Sequence, residues 1–265
     1  HKAQGDAVEW WWPLGEYDKV YSSKVFTFTK ADEYLPPDVI KGGTGYGIYE
    51  DLPAEIDEIF PDYSIYPNCK HAVGYLTRGC IRRCPWCVVP RKEGDIKPYR
   101  TWQEIKRPDS NKIVFMDNNV LACDHGLRQI EDMGGKPVWV DFNQGLDIRL
   151  MTRAKAEVIA KTKIKQIHFA WDRYEDKSLV LPKLEMFAET TNVNQHNAIV
   201  YTIVNFSTTL EQDLDRIYTL KKMGYWPYVM IYDKEHCNPV YRQLARWVNN
   251  RFIFAKCDKF EDYKG

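Results

Sequence analysis

The chain has 265 residues, 44% of them hydrophobic and 28% charged, which is enough apolar material for a sizeable core and excludes wholesale disorder. Thirty-seven Lys and Arg balance 37 Asp and Glu, so the whole molecule has no bulk attraction for nucleic acid or an anionic membrane. No run approaches the length of a membrane-spanning helix, and seven cysteines are an odd number for a disulfide framework. With three cysteines inside eight residues, the composition points to metal or redox chemistry in a reducing compartment such as the cytoplasm.

In chain order, the first zone mixes short apolar runs with turn signals. His1–Asp6 reads as the end of a helix that began earlier, so the native N-terminus is expected to lie upstream. Ala7–Trp12, Tyr17–Ser22 and Pro37–Gly43 read as short strands, the last entering a Gly-rich turn. Asp51 to Tyr66 reads as a connecting segment because of Pro53, Pro61 and Pro67. The expected organisation is a truncated Rossmann-like unit with its linker over 1–68, a core over 69–236 and a helical extension over 237–265.

From His71 the pattern becomes regular. Strands are predicted at Ala72–Thr77, Lys112–Met116, Pro137–Phe142, Gln166–Trp171, Ala198–Val204 and Pro227–Tyr232. Helices are predicted from Thr152 to Lys161 and from Thr209 to Met223, each with a threonine at its N-cap. Glu211 and Asp213 sit in the first turn of the second helix, and Gly224 ends it. Tyr241–Phe252 is amphipathic, with Leu244, Trp247 and Val248 on one face. Six strands separated by βα-sized intervals predict an α/β fold, a partial (β/α)6 barrel preceded by a small Rossmann-like α/β remnant.

The chemistry concentrates in Thr77-Arg78-Gly79-Cys80-Ile81-Arg82-Arg83-Cys84-Pro85-Trp86-Cys87. The spacing Cys-x-x-x-Cys-x-x-Cys lets one loop bind three irons of a [4Fe-4S] cluster and leave the fourth iron open. The competing reading is a structural zinc site completed by Cys69 or His71, yet no second ligand hairpin follows. Around this loop, Thr77 to Arg100 carries seven cations against Glu93 and Asp95, a charge suited to an anionic cluster, a phosphate or a carboxylate. Cys69, Cys123, Cys237 and Cys257 lack close pairing and read as small apolar residues.

This motif resembles the radical S-adenosylmethionine (radical SAM) superfamily, which places an aromatic residue before the third cysteine, as Trp86 stands here. The resemblance covers about residues 70 to 235 and implies that Cys80, Cys84 and Cys87 ligate the cluster. It also implies that SAM binds the open iron and is cleaved reductively to a 5′-deoxyadenosyl radical, with an external reductant such as flavodoxin or ferredoxin. Carried over by position, Asp117-Asn118-Asn119 after the second strand would lie near the SAM amino group; otherwise these residues cap the next turn. Asp147 and Arg149 after the third strand would line the SAM and substrate cavity, or else form a buried pair. Asp172 after the fourth strand would meet the SAM ribose or substrate. Asn205, after the fifth, lies in the region that contacts adenine, but Asn205 and Ser207 stand where the family usually has glycine. Gly42-Gly43-Thr44-Gly45 resembles a turn of cobalamin-binding domains, but the cobalamin-ligating motif is absent from these residues and cobalamin is not expected. The substrate is not legible; a nucleoside or nucleic acid is the favoured class. The alternative is a zinc- or Fe-S-stabilised nucleic-acid-binding module without catalysis.

Overall fold

A computed structural model describes residues 1–265. The chain divides into two compact units, His1–Lys70 and His71–Gly265.

In the first unit a 3-10 turn, Lys2–Gln4, ends at Gly5 in left-handed conformation. Strands β1 (Tyr21–Ser23) and β2 (Ile40–Gly42) form a parallel pair, followed by a 3-10 turn at Thr44–Tyr46 and a single helical turn, α1 (Ala54–Asp57). The Rossmann-like remnant expected here amounts to this one pair. Ala7–Trp12 is not a strand. Trp10 finds other partners: its indole donates to the carbonyl of Ile65 at 2.8 Å and packs edge-on against Tyr66.

The second unit holds β3 (Ala72–Gly74), β4 (Thr77–Arg78), α2 (Val89–Lys92), β5 (Lys97–Pro98), α3 (Trp102–Ile105), β6 (Lys112–Phe115) and α4 (Asp124–Asp132). There follow β7 (Trp139–Leu146), α5 (Arg153–Ala160), β8 (Lys163–Ala170), α6 (Lys177–Thr191), β9 (Ala198–Val204), α7 (Leu210–Lys222), β10 (Trp226–Ile231), α8 (Pro239–Asn249) and α9 (Arg251–Lys256). Six strands form one sheet in the order β10-β9-β8-β7-β6-β3, every pair parallel. Each strand therefore lies beside its sequence neighbour, as short right-handed βα connections produce. β4 and β5 form a separate antiparallel hairpin stem.

One face of the sheet is apolar. Val140, Phe142, Ile167, Phe169, Ala198 and Val200 pack in one cluster with Ala156, Ile159, Val180, Leu184, Phe187 and Leu220 from the helices. The helix starts follow their caps. Thr152 accepts from the Lys155 amide, and Thr209 and Gln212 form a reciprocal capping box. α6 is the longest helix and was not foreseen; Pro182 inside it reads as a breaker in sequence, yet Leu184 and Phe187 bury its inner face. The C-terminal amphipathic stretch is two helices rather than one. The Asn250 side chain accepts from the amides of Phe252 and Ile253 and starts a new helix. Leu244, Trp247 and Val248 are buried, and Asn249 bonds both backbone groups of Val229 on β10, capping an edge strand.

Candidate functional site

The cysteine loop leaves the sheet at the C-terminal end of β3, where parallel sheets present their loops. Its stem is β4 paired with β5, and two buried acids fasten it. Asp117, just after β6, accepts from the amides of Leu76 (3.1 Å) and Thr77 (2.6 Å) and from the Thr77 hydroxyl (2.7 Å). Glu93 accepts from the Gly79 amide and from Asn118 Nδ2, each at 2.9 Å, and pairs with Arg78 at 3.1 Å. Gly79 has φ +81°, and a Cβ there would lie 2.2 Å from the carbonyl oxygen of Asp95, so only glycine fits where the strands of the loop cross.

Within the loop, Cys80 is buried and its sulfur accepts from the Arg82 amide (3.3 Å) and from Asn119 Nδ2 (3.5 Å). Cys87 receives the Val89 amide, and the Cys87 amide donates to the carbonyl of Cys84 at 3.0 Å. Cys84 is half-buried and Cys87 exposed; partial desolvation raises both thiols, and the nearby Arg149 works against this at Cys84. Each sulfur lies within electrostatic range of another on the loop, although no three ligand side chains converge closely enough to enclose an ion. Trp86 packs edge-on against Phe206 after β9, and Phe206 likewise against Tyr232 after β10, both at 4.8 Å. This aromatic ladder ties the loop to the far strands of the sheet.

The other strand ends supply a charged floor. Asp147 accepts from Arg82 Nε of the cysteine loop (2.9 Å) and from Arg149 Nε (2.7 Å), and Arg149 reaches Asp176 at 3.3 Å. Burial alone would raise the Asp147 carboxyl, but its hydrogen bonds and charge pairing with Arg149, then Arg82, hold it below the usual range. Asp147 and Arg149 thus form an ion pair, with the loop arginine as third member. Asp172 accepts from the Ile203 amide at 3.3 Å; burial pushes it up to about 6, and its charge acts on both Cys84 and Cys87. Asn205 (φ 63°) and Ser207 (φ 50°) take the left-handed backbone that glycine favours, and Asn205 Nδ2 donates to the Tyr232 carbonyl.

The strand ends therefore bring together Cys80, Cys84, Cys87, Asp147, Arg149 and Asp172, with Asp117 and Asn118 acting on the stem. Asn119 reaches the first cysteine directly. Of the loop's cations, Arg78, Arg82 and Arg83 are held by Glu93, Asp147 and Asp95. Sequence reasoning missed two members. Glu93 counted only as an offsetting charge. Arg216 of α7 is fully buried and bonds the carbonyls of Trp171 (2.7 Å), Asp172 (2.8 Å) and Ile203 (2.7 Å) as well as Asp213 (2.5 Å). It clamps the ends of β8 and β9 and so fixes the backbone that carries Asp172. A capping-box helix with an acid and an arginine at i and i+3 reads as solvated in sequence; only burial distinguishes it.

No model of a known protein family matches the chain, and no curated protein matches it.

Proposed function

We propose that the protein is a radical SAM enzyme, with a [4Fe-4S] cluster held by Cys80, Cys84 and Cys87. The six parallel strands are then the units of a partial (β/α)6 barrel. The observation that carries this reading is the loop itself. Three thiols lie on one glycine-hinged loop at the C-terminal end of a parallel sheet, and the first and third sulfurs already receive N–H donors, as cluster thiolates do.

When bound, the cluster supplies the electron that cleaves SAM to a 5′-deoxyadenosyl radical, which takes a hydrogen atom from the substrate. The protein's own share is positional. Asp117 and Glu93 hold the loop stem, and Arg82 ties the loop to Asp147. Asp172 sets a carboxylate within electrostatic range of Cys84 and Cys87, where a SAM ammonium or ribose would find an acceptor, while Asp147 holds Arg82 and Arg149 in place. Trp86 packs on Phe206 and so fixes the third cysteine's end of the loop to the end of β9. The electron comes from an external reductant of the flavodoxin or ferredoxin kind, and cobalamin has no part in this reading.

The test is anaerobic reconstitution with iron and sulfide, then incubation with dithionite and SAM. The expected protein is brown, with absorbance near about 400 nm from sulfur-to-iron charge transfer, and it forms 5′-deoxyadenosine. Replacing Cys80, Cys84 or Cys87 by Ala abolishes both signals, whereas Cys123→Ala and Cys257→Ala retain them. Colourless protein with stoichiometric zinc would overturn the reading in favour of a zinc-stabilised binding module.

A further inference from the structure

The sheet face opposite the apolar helix layer carries a cluster that the cysteine chemistry does not use. Asp141 of β7, His168 of β8 and Tyr201 of β9 alternate with the helix-facing Val140, Phe142, Ile167, Phe169 and Val200, so they share the other face. Tyr228 of β10 pairs in register with Tyr201 and extends the row.

Asp141 is only 8% exposed, and its Oδ1 is buried without any hydrogen-bond partner. The nearest ionisable nitrogen is His168 Nδ1 at 3.8 Å, but that nitrogen already bonds the Phe142 carbonyl at 2.8 Å. A carbonyl only accepts, so Nδ1 carries the proton and Nε2 is left as an acceptor. Burial holds the His168 pKa down, which keeps the ring neutral. The Tyr201 hydroxyl is likewise spent, donating to the Asn143 carbonyl at 2.9 Å. Asp141 Oδ1 and His168 Nε2 are thus left as acceptors, and the only free donor of the row is the Tyr228 hydroxyl at its far end.

Its walls are flat. His168 and Tyr201 stack at 5.1 Å with 12° between their planes, and Tyr228 meets Tyr201 edge-on at 5.7 Å. Tyr228 is 40% exposed, so the row opens to solvent at its outer end. A buried carboxylate without a donor is costly to keep, and a fold retains one where a ligand completes it. Lys165 already places positive charge near Asp141. That favours a neutral donor over a second cation.

We infer that Asp141 and His168, with the ring row of Tyr201 and Tyr228 leading from them to solvent, form a binding subsite for a guanine-type base, whose adjacent ring N–H and exocyclic amine match one carboxylate. This deepens the reading above by naming the substrate class, and it rests on that reading only for the word substrate. Binding requires neither cluster nor reductant.

The experiment is calorimetric titration of the full chain, without SAM or dithionite, with guanosine, inosine, adenosine, agmatine and a short guanine-containing RNA. Guanosine binds saturably, inosine at least about tenfold more weakly because it lacks the exocyclic amine, and adenosine not measurably. Asp141→Asn weakens guanosine by about tenfold or more; Tyr228→Ala, at the partly exposed outer end of the row, weakens it severalfold. Tighter binding of the RNA than of guanosine identifies a base within a polymer as the source; tighter guanosine identifies the free nucleoside. Absent guanosine and RNA binding, equal affinity in both variants, or tighter agmatine binding each overturn the subsite. Guanosine binding that depends on Asp141 in a protein that never forms 5′-deoxyadenosine would sink the radical reading and leave the subsite standing. The converse result would do the opposite.

Discussion

Asp117 and Asp141 follow or lie in neighbouring strands of one sheet, and burial pushes each carboxyl up to about 6. Their surroundings differ completely. Asp117 is saturated by two amides and a hydroxyl of the loop stem, whereas Asp141 has a buried oxygen with no donor at all. The strand ends under the cysteine loop are a closed network in which Arg82, Arg149 and Arg216 each bond an acid. The opposite sheet face is an open set of acceptors and rings. The same burial thus serves two ends: at the strand ends it makes a rigid platform, and on the sheet face it holds binding capacity in reserve.

The sharpest way to break this contrast is through Arg216. If the strand ends are a structural network, Arg216→Met removes four hydrogen bonds and leaves Asp213, fully buried, without its cation. Removing one member of a buried pair costs about 3–5 kcal/mol. Denaturant unfolding of the reduced protein should show an unfolding free energy lower by that amount, with the midpoint moved down accordingly. An unchanged midpoint would mean that the platform is not held by its ion pairs.

Asp117→Ala should come next, at about 2–4 kcal/mol, since it strands two buried amides and one hydroxyl. Amide hydrogen exchange is the more specific readout: Leu76 and Thr77 should lose protection while the Ala198–Val204 strand keeps its own. Uniform loss along the sheet would show that Asp117 is not a local fastener of the loop.

How far these regions were legible in sequence follows from the range of the interactions. β9 runs from Ala198 to Val204 as read, because an unbroken β-branched and apolar run buried on both faces has no other home. Thr152 and Thr209 announced their helices, since caps act over three residues. β7 runs on to Leu146, past the Phe142 expected as its end, through Asn143, Gln144 and Gly145. Those polar residues read as a loop, but the strand continues through an irregular register, and Gly145 takes φ +101°. The cysteine loop was readable from spacing alone. Its fasteners were not: Asp117 acts about forty residues from its partners, and Arg216 bonds strand ends that local pattern does not link to α7. Asp141 was invisible for a different reason. An acid inside a strand looks the same in sequence whether its oxygen is satisfied or orphaned, and only the fold decides that.

The smallest effect sharpens the contrast most, because its sign is the opposite of the other two. In the unfolded chain Asp141 titrates near 3.8, and in the fold near about 6. Between these values the folded state holds more protons, so stability is greatest at low pH and falls as pH rises through this window. Asp117 and Asp172 share the direction, so the wild-type protein carries the combined slope of all three. Asp141→Asn removes only its own share. The variant should match wild type near pH 4 and exceed it by about 1 kcal/mol at pH 7, because a neutral amide escapes the desolvation of an ionised group that the charge of Lys165 offsets only in part. Asp117→Ala should be destabilised at both pH values, since its hydrogen bonds are lost whatever its charge. Denaturation of Asp141→Asn at pH 4 and pH 7 decides the matter. A variant less stable than wild type at pH 7 would mean that Asp141 has a partner within the fold, and that the sheet face is as closed as the strand ends.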